Sequence, residues 1–339
     1  MSQLSIVVPS RRSLDKSRFS LESALIYAEK LDAVLIVSDN SGDPAKAEWL
    51  QSLGARVRYL HSTAEDAVAN LVNALNHVET PFLMPFADDD TIYVLDGLPV
   101  ADLFSLPQDV IGVRPQTMMW RDDAGVADVV TTNLDAETPS GRIQQYVNKT
   151  GGNNALYYSI FRTRLFTGVL KTFNAHHPTR GAYCDWSFVA TFLCCGKVLY
   201  DPALIYCYDL GQWKSAAGLD TSFDTLLLQV GLPETARYYH EFLLFLDMHS
   251  LFGWRDLPLA AADRADAISA NIRFNLQVFC NRVARQPDLY PQAVKDVVAA
   301  LGTIADPETL FATILPVADS LRPGLAEEYR RYRAMISDV

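Results

Sequence analysis

The amino-terminal part of the chain switches repeatedly between two hydrophobic periods, and this limits what it can fold into. Short apolar, β-rich runs at Ser5–Pro9, Ala33–Val37, Val57–Leu60 and Phe82–Ala87 alternate with helical spacing over Ser17–Leu31 and Thr63–Val78. In the first helical stretch Leu21, Ala24, Leu25 and Ala28 share a stripe, and in the second Ala67, Leu71, Ala74, Leu75 and Val78 do. Parallel strands need a crossover between them, so this alternation predicts an α/β fold with a mostly parallel central sheet flanked by helices. Pro85 cannot donate to a ladder, which predicts that the fourth run is irregular near its end or open on one side.

Further along, Val110–Val113 and Val198–Tyr200 read as strands, and Asp185–Cys195 reads as a helix stopped by Gly196. From about Thr221 helical periods dominate, punctuated by Pro233, Pro258, Pro287, Pro291, Pro307, Pro316 and Pro323. Two regions are therefore expected, 1–215 as the α/β domain and 216–339 as a helical C-terminal portion. The dense block of Tyr238, Tyr239, Phe242, Leu243, Phe245 and Leu246 is expected to be buried helix core.

Charge narrows the partners. Lys and Arg number 29 against 40 Asp and Glu, a formal balance of −11, so a nucleic-acid backbone is not expected as a ligand. The run Ile6–Pro9 is too short for a secretory signal and precedes Arg11 and Arg12, and no apolar stretch is long enough to span a membrane. The five cysteines form no Cys-x-x-Cys pair, and a cytoplasmic protein with reduced, mostly buried thiols is the expectation. Asn148-Lys149-Thr150 fits a glycosylation acceptor, which has no meaning without secretion.

Several common signatures are missing. Ser10-Arg11-Arg12-Ser13 follows the first strand where a dinucleotide fold would carry G-x-G-x-x-G, and no G-x-x-x-x-G-K-[ST], H-E-x-x-H or G-x-S-x-G occurs. The informative segment is Ala87-Asp88-Asp89-Asp90. Adjacent carboxylates repel one another unless they are solvated or neutralised by a cation. On an extended backbone Asp88 and Asp90 would point to one side and Asp89 to the other. That arrangement suits Mn²⁺ or Mg²⁺, with substrate phosphates completing the oxygen shell, at the carboxyl end of a strand where α/β ligands gather. The alternative is a solvated acidic loop.

Leu4-Ser5-Ile6-Val7-Val8-Pro9-Ser10, Val37-Ser38-Asp39-Asn40-Ser41 and Pro85-Phe86-Ala87-Asp88-Asp89-Asp90, taken in order, resemble the amino-terminal half of family 2 glycosyltransferases with the GT-A fold. The likeness covers residues 4 to 95, and 150 to 210 loosely. It implies that Pro9, Ser10 and Arg11 line a nucleotide-sugar pocket and that Asp39 accepts from a uracil-type ring N–H. It also implies that Asp90 is the principal metal ligand, with Asp88 or Asp89 on the ribose or a second metal position. Many members of the family carry Tyr-Asn where this chain has Arg11-Arg12. Without the resemblance, Asp39 in Asp39-Asn40-Ser41-Gly42-Asp43 reads as a turn residue accepting backbone N–H bonds.

An inverting transferase needs a base for the acceptor hydroxyl. Asp185 resembles the family's acidic residue at the start of a helix beneath the acceptor, while helix capping is its ordinary role, and one residue can serve both. His176-His177 is expected to be solvated rather than metal-bound. Gly151-Gly152-Asn153-Asn154 reads either as a turn or as amides for sugar hydroxyls. Arg11, Arg12 and Lys214 are candidates to offset diphosphate charge. Together the readings imply a metal-dependent glycosyltransferase. It would take a UDP-type sugar to a glycan, lipid-linked or protein acceptor with inversion. A nucleotidyltransferase and a non-catalytic binding subunit are the rivals.

Overall fold

The computed structural model describes residues 2–121, 124–150, 154–181, 184–211 and 224–337. Gly151, Gly152, Asn153 and Lys214 lie outside the described residues. The chain divides into two compact units. The first comprises Met1–Asp135, Gln145–Lys171 and Gly196–Lys214, and the second comprises Ala136–Gln144, Thr172–Cys195 and Ser215–Val339.

The first unit opens with the expected alternation: β1 (Leu4–Ser10), α1 (Leu14–Lys30), β2 (Val34–Asp39), α2 (Pro44–Ser52), β3 (Val57–His61), α3 (Ala67–Leu75) and β4 (Phe82–Pro85). It continues through β5 (Thr91–Val94), β6 (Val110–Arg121) and β7 (Gly125–Val130). After α4 (Pro139–Thr150) come β8 (Ile160–Arg162), α5 (Thr163–His176), α6 (Asp185–Cys195) and β9 (Lys197–Asp209), with α6 assigned to the second unit. The sheet order is β3-β2-β1-β4-β8-β6-β9-β5, with β7 paired to β6. The β3-β2-β1-β4 side is parallel, β8 enters antiparallel, β6 and β9 run parallel, and β5 returns antiparallel on β9.

Period-two alternation places each strand. Leu4, Ile6 and Val8 of β1 pack into one core with Leu21, Ala24 and Ala28 of α1. Val7, fully buried as well, points to the other face, the side on which α3 packs against β1. A strand covered on both faces reads as a continuous apolar run, as Ile6-Val7-Val8 does. Pro85 sits opposite Val7, and the N–H groups of Phe82 and Phe86 donate toward β1, to Gln3 O at 3.1 Å and Val7 O at 2.9 Å. Its missing N–H therefore faces β8, which pairs only with Phe82 and Leu83 and has ended by that point.

In the second unit α6 is joined by α7 (His240–Phe252), α8 (Ala261–Asn271), α9 (Gln277–Arg285), α10 (Gln292–Ala300), α11 (Pro307–Ile314) and α12 (Leu325–Ile336). A π-helical turn at Ile272–Leu276 joins α8 to α9. From Phe242 to Phe252 every residue of α7 is buried, so the apolar block is helix core as its composition predicts. Ala190, Cys194, Met248, Phe252, Ala267 and Ala270 pack together. The buried Asp247 carboxylate accepts from Tyr329 Oη at 2.7 Å and Ser187 Oγ at 3.4 Å. No helix among the described residues is long and apolar enough to cross a membrane.

Candidate functional site

The carboxyl ends of β1, β2 and β4 bring three separated sequence segments into one cleft of the first unit. The expected extended geometry of the aspartates does not occur. Ala87–Asp90 forms a turn, with Asp90 N donating to Ala87 O at 3.4 Å, so the three side chains diverge. Asp88 reaches back to the loop after β1, where one oxygen, Oδ2, accepts from Ser10 Oγ at 2.5 Å and from the backbone N–H groups of Arg11 and Arg12, each at 3.1 Å. Asp89 pairs with Arg12 Nη2 at 2.5 Å, and Arg12 Nε lies 3.4 Å from Asp88 Oδ1. Asp90 turns the other way, toward β9: its Oδ1 accepts from Asp209 N at 2.7 Å and its Oδ2 from Tyr206 Oη. Pro9 is paired with Ser38 in the sheet, and Arg11 contributes its backbone N–H while its residue surface stays exposed.

Asp39, at the end of β2, is buried and does what its turn string predicts: Oδ1 accepts from Ser41 N at 3.1 Å. The same oxygen also pairs with Lys46 Nζ at 3.0 Å, and both side chains are sealed from solvent. Lys46 donates further to Arg12 O at 2.7 Å and to Ser10 Oγ. Ser10 thus accepts from Lys46 and donates to Asp88, linking the β2 aspartate to the triplet through a chain of buried hydrogen bonds. Charge-assisted bonds of this kind are strong and directional, so the loop after β1 is held from two sides.

Four carboxylates, Asp88, Asp89, Asp90 and Asp209, interact here against one guanidinium, Arg12. Burial raises the Asp90 carboxyl to about 8, with the charge on Asp89 adding to the effect. Burial and the neighbouring Asp88 and Asp209 charges also push Asp89 upward, against the lowering influence of Arg12. An all-oxygen, charge-excess donor set of this kind fits a hard divalent cation. The donors do not converge as they stand: Asp88 Oδ2 serves three donors, both Asp90 oxygens accept hydrogen bonds, Asp209 Oδ1 accepts from Gly211 N, and among the described residues only His177, Cys184 and Asp247 bring ligand atoms within 4.8 Å of one another.

No family model matches the chain, and no curated protein matches it. Among solved structures, residues 1–349 of S. aureus TarS in complex with UDP-GlcNAc are similar at 16% identity, covering 98% of this chain and 91% of that one, with a TM-score of 0.47. The complex of the same fragment with UDP gives 15% identity, 94% and 92% coverage, and a TM-score of 0.42. A likeness this distant fixes neither reaction nor ligand for this chain.

Asp185 is the first residue of α6 in the second unit, where its Oδ1 accepts from Trp186 N at 2.9 Å. His176 is exposed as expected, but the expectation that its neighbour is solvated fails. His177 is buried, with Nε2 2.8 Å from Asp247 Oδ1. Its Nδ1 accepts from Thr179 N at 3.2 Å and Arg180 N at 3.0 Å, which leaves the ring proton on Nε2, donated to Asp247. His177, Cys184 and Asp247 offer ligand atoms within 4.8 Å of one another, but a ring nitrogen that keeps its proton has no lone pair for a metal, so the trio reads as structural.

Three participants escaped sequence reasoning. Lys46 lies on α2, a helix started by Asp43, whose carboxylate accepts from Ala45 N at 3.0 Å and Lys46 N at 3.4 Å, ahead of Pro44. The Asp-Pro pair after the turn string was the available signal for that helix. Tyr206 and Asp209 come from the end of β9, where the alternating Tyr206-Cys207-Tyr208-Asp209 marks a strand longer than Val198–Tyr200. A separate cavity of about 260 Å³ opens at the amino end of β1 beside Leu4, Ala101 and Asp201. Asp201 there accepts from Ala101 N and Ala203 N, each at 2.8 Å, and holds a loop.

Proposed function

We propose that the chain is a glycosyltransferase acting on a nucleoside diphosphate sugar, with a UDP-type donor favoured. One observation carries the reading: the segments after β1, β2 and β4 meet through Asp88, Ser10, Lys46 and Asp39 in a single buried hydrogen-bonded network. A nucleotide would lie along those strand ends, its base toward Asp39 and the His61–Ala64 segment, and its diphosphate toward the Arg12 guanidinium and the acidic triplet. His61, Ser62, Thr63, Ala64 and Asn73 line a cavity of about 350 Å³ at the end of β3, and Ser62 N donates to Asp39 O at 2.8 Å.

Arg12, an exposed cation held by Asp88 and Asp89, would meet charge developing on the departing diphosphate. A divalent cation at the acidic triplet, bound once Asp89 and Asp90 exchange their present partners, would supply Lewis-acid stabilisation of the same charge. Ser10 and Lys46 would act by positioning, holding the β1 loop against Asp88. The base for the acceptor hydroxyl is, on the sequence resemblance alone, Asp185, with inversion at the anomeric carbon. The acceptor class is a glycan, a lipid-linked saccharide or a protein.

The test is incubation with Mn²⁺ and a panel of nucleotide sugars, followed by analysis of the nucleotide products. Release of nucleoside diphosphate is expected. Release of pyrophosphate would replace the reading with nucleotidyl transfer, and failure of every nucleoside diphosphate to bind would leave a non-catalytic fold. Asp185→Asn should lower turnover by about 10²- to 10⁴-fold with donor affinity kept. A near-normal rate with reduced thermal stability would assign Asp185 to its helix instead.

A further inference from the structure

A second concavity of the first unit adjoins the triplet. Phe19 of α1, Thr91 and Tyr93 of β5, Trp120 of β6, Cys207 and Asp209 of β9, and Asp89 line a cavity of about 490 Å³, within the range of small-molecule sites. Its three rings are exposed to an unusual degree, Phe19 at 71% and Tyr93 and Trp120 at 40% each. Aromatic side chains otherwise dominate cores, and three of them around one exposed hollow form a surface that something else is suited to cover.

The polar groups in that hollow are of one kind. Asp89 and Asp209 provide carboxylates, Thr91 provides a hydroxyl, and among the described residues no lysine or arginine lines the cavity. Two carboxylates facing one hollow make the local potential negative, which disfavours an anionic ligand. A purely apolar ligand would strip water from those carboxylates while offering them no donor. The complementary molecule presents C–H groups on one face, for the negative faces of the rings, and hydroxyl donors at its rim for the carboxylates. That is a neutral sugar ring.

We propose that this aromatic cleft binds a neutral saccharide, with Trp120, Tyr93 and Phe19 stacking on its ring faces and Asp209 accepting from its hydroxyls. Building on the transferase reading, this makes the acceptor a neutral glycan, because Asp89 is shared between the cleft and the triplet and so puts the bound sugar beside the proposed diphosphate position. The binding itself does not depend on that reading.

The experiment is calorimetric titration of the full chain, with and without UDP and Mn²⁺, using neutral methyl glycosides and linear di- to tetrasaccharides alongside phosphorylated and uronic-acid counterparts. Neutral saccharides are expected to bind, their affinity falling at least about tenfold in Trp120→Ala and in Tyr93→Ala, while UDP affinity stays within about twofold. Trp120→Phe, which keeps a ring, should restore most of the binding and controls for a folding defect. Saccharide binding without UDP binding would sink the transferase reading and leave this one standing. The proposal is overturned if no neutral saccharide binds, if the anionic sugars bind better, or if the alanine variants bind as the parent does. It also fails if those variants alter only the concentration dependence of the molecular mass, since the rings would then serve contact between copies of the chain.

Discussion

At the scale of single residues the acidic triplet was legible and its anchoring was not. Three consecutive aspartates after an apolar run announce a charged strand end, whereas Lys46 is an ordinary lysine until the fold seals it against Asp39. Burying two charges is costly, and removing one partner leaves the other uncompensated, which typically costs about 3–5 kcal/mol. Lys46→Met keeps the length of the side chain and removes its charge. It is expected to lower unfolding free energy by about that amount in urea titration, and to weaken UDP binding because Ser10 loses the donor that helps orient it toward Asp88. A stability change under about 1 kcal/mol would mean that Asp39 finds another partner. The divergence of Asp88 and Asp90 was likewise hidden, because it depends on a turn over Ala87–Asp90 that no periodicity encodes.

At the scale of elements, long strongly periodic segments announced themselves: β1, α1, β2 and β3 lie where alternation and the 3.6-residue period place them. Short elements did not. β5 is a four-residue strand recruited by pairing with β9, and β8 has three residues, so neither carries enough period to be recognised. β8 owes its place to a close approach. A Cβ added at Gly112 of β6 would stand 2.5 Å from Ile160 O and 3.0 Å from Phe161 Cδ1, in the segment where Gly112 pairs with Phe161. The nearest atom is backbone, which cannot swing aside as a flexible side-chain tip does. Gly112→Ala is expected to destabilise the protein by about 1–3 kcal/mol and to speed amide exchange at Ile160 and Phe161, the seam between β8 and β6. Unchanged exchange there would show that β8 shifts at no cost.

At the scale of the whole molecule, two buried groups give the stability opposite dependences on pH, one in each unit. Asp90 in the first unit has its carboxyl raised by burial to about 8 from an ordinary 3.8, so the folded state favours the protonated form. Its contribution is fully present below pH 3.8 and is lost as pH rises through about 8. His240, at the start of α7 in the second unit, is lowered from 6.5 to about 4, first by burial and then by the Arg282 charge, so the folded state favours the neutral ring. That contribution is present above pH 6.5 and is lost as pH falls toward about 4, with a limit on the order of 3 kcal/mol. The two windows overlap, and between about pH 4 and 6.5 the opposite slopes cancel, so metal-free protein should hold level up to about pH 6.5 and lose stability from there to about pH 8, an alkaline limb set by Asp90. Asp90→Asn is expected to remove the alkaline limb and uncover a rise from about pH 4 to 6.5 set by His240, and His240→Gln to extend the fall down to about pH 4. Mn²⁺ at pH 8 should raise the midpoint of the parent by binding the ionised carboxylates, and should do so much less in Asp90→Asn. An alkaline limb that survives Asp90→Asn would move the ionisation that destabilises the protein to another group. The two substitutions thus separate the acidic site from the helical unit in a single measurement, by the opposite slopes they leave between about pH 4 and 6.5.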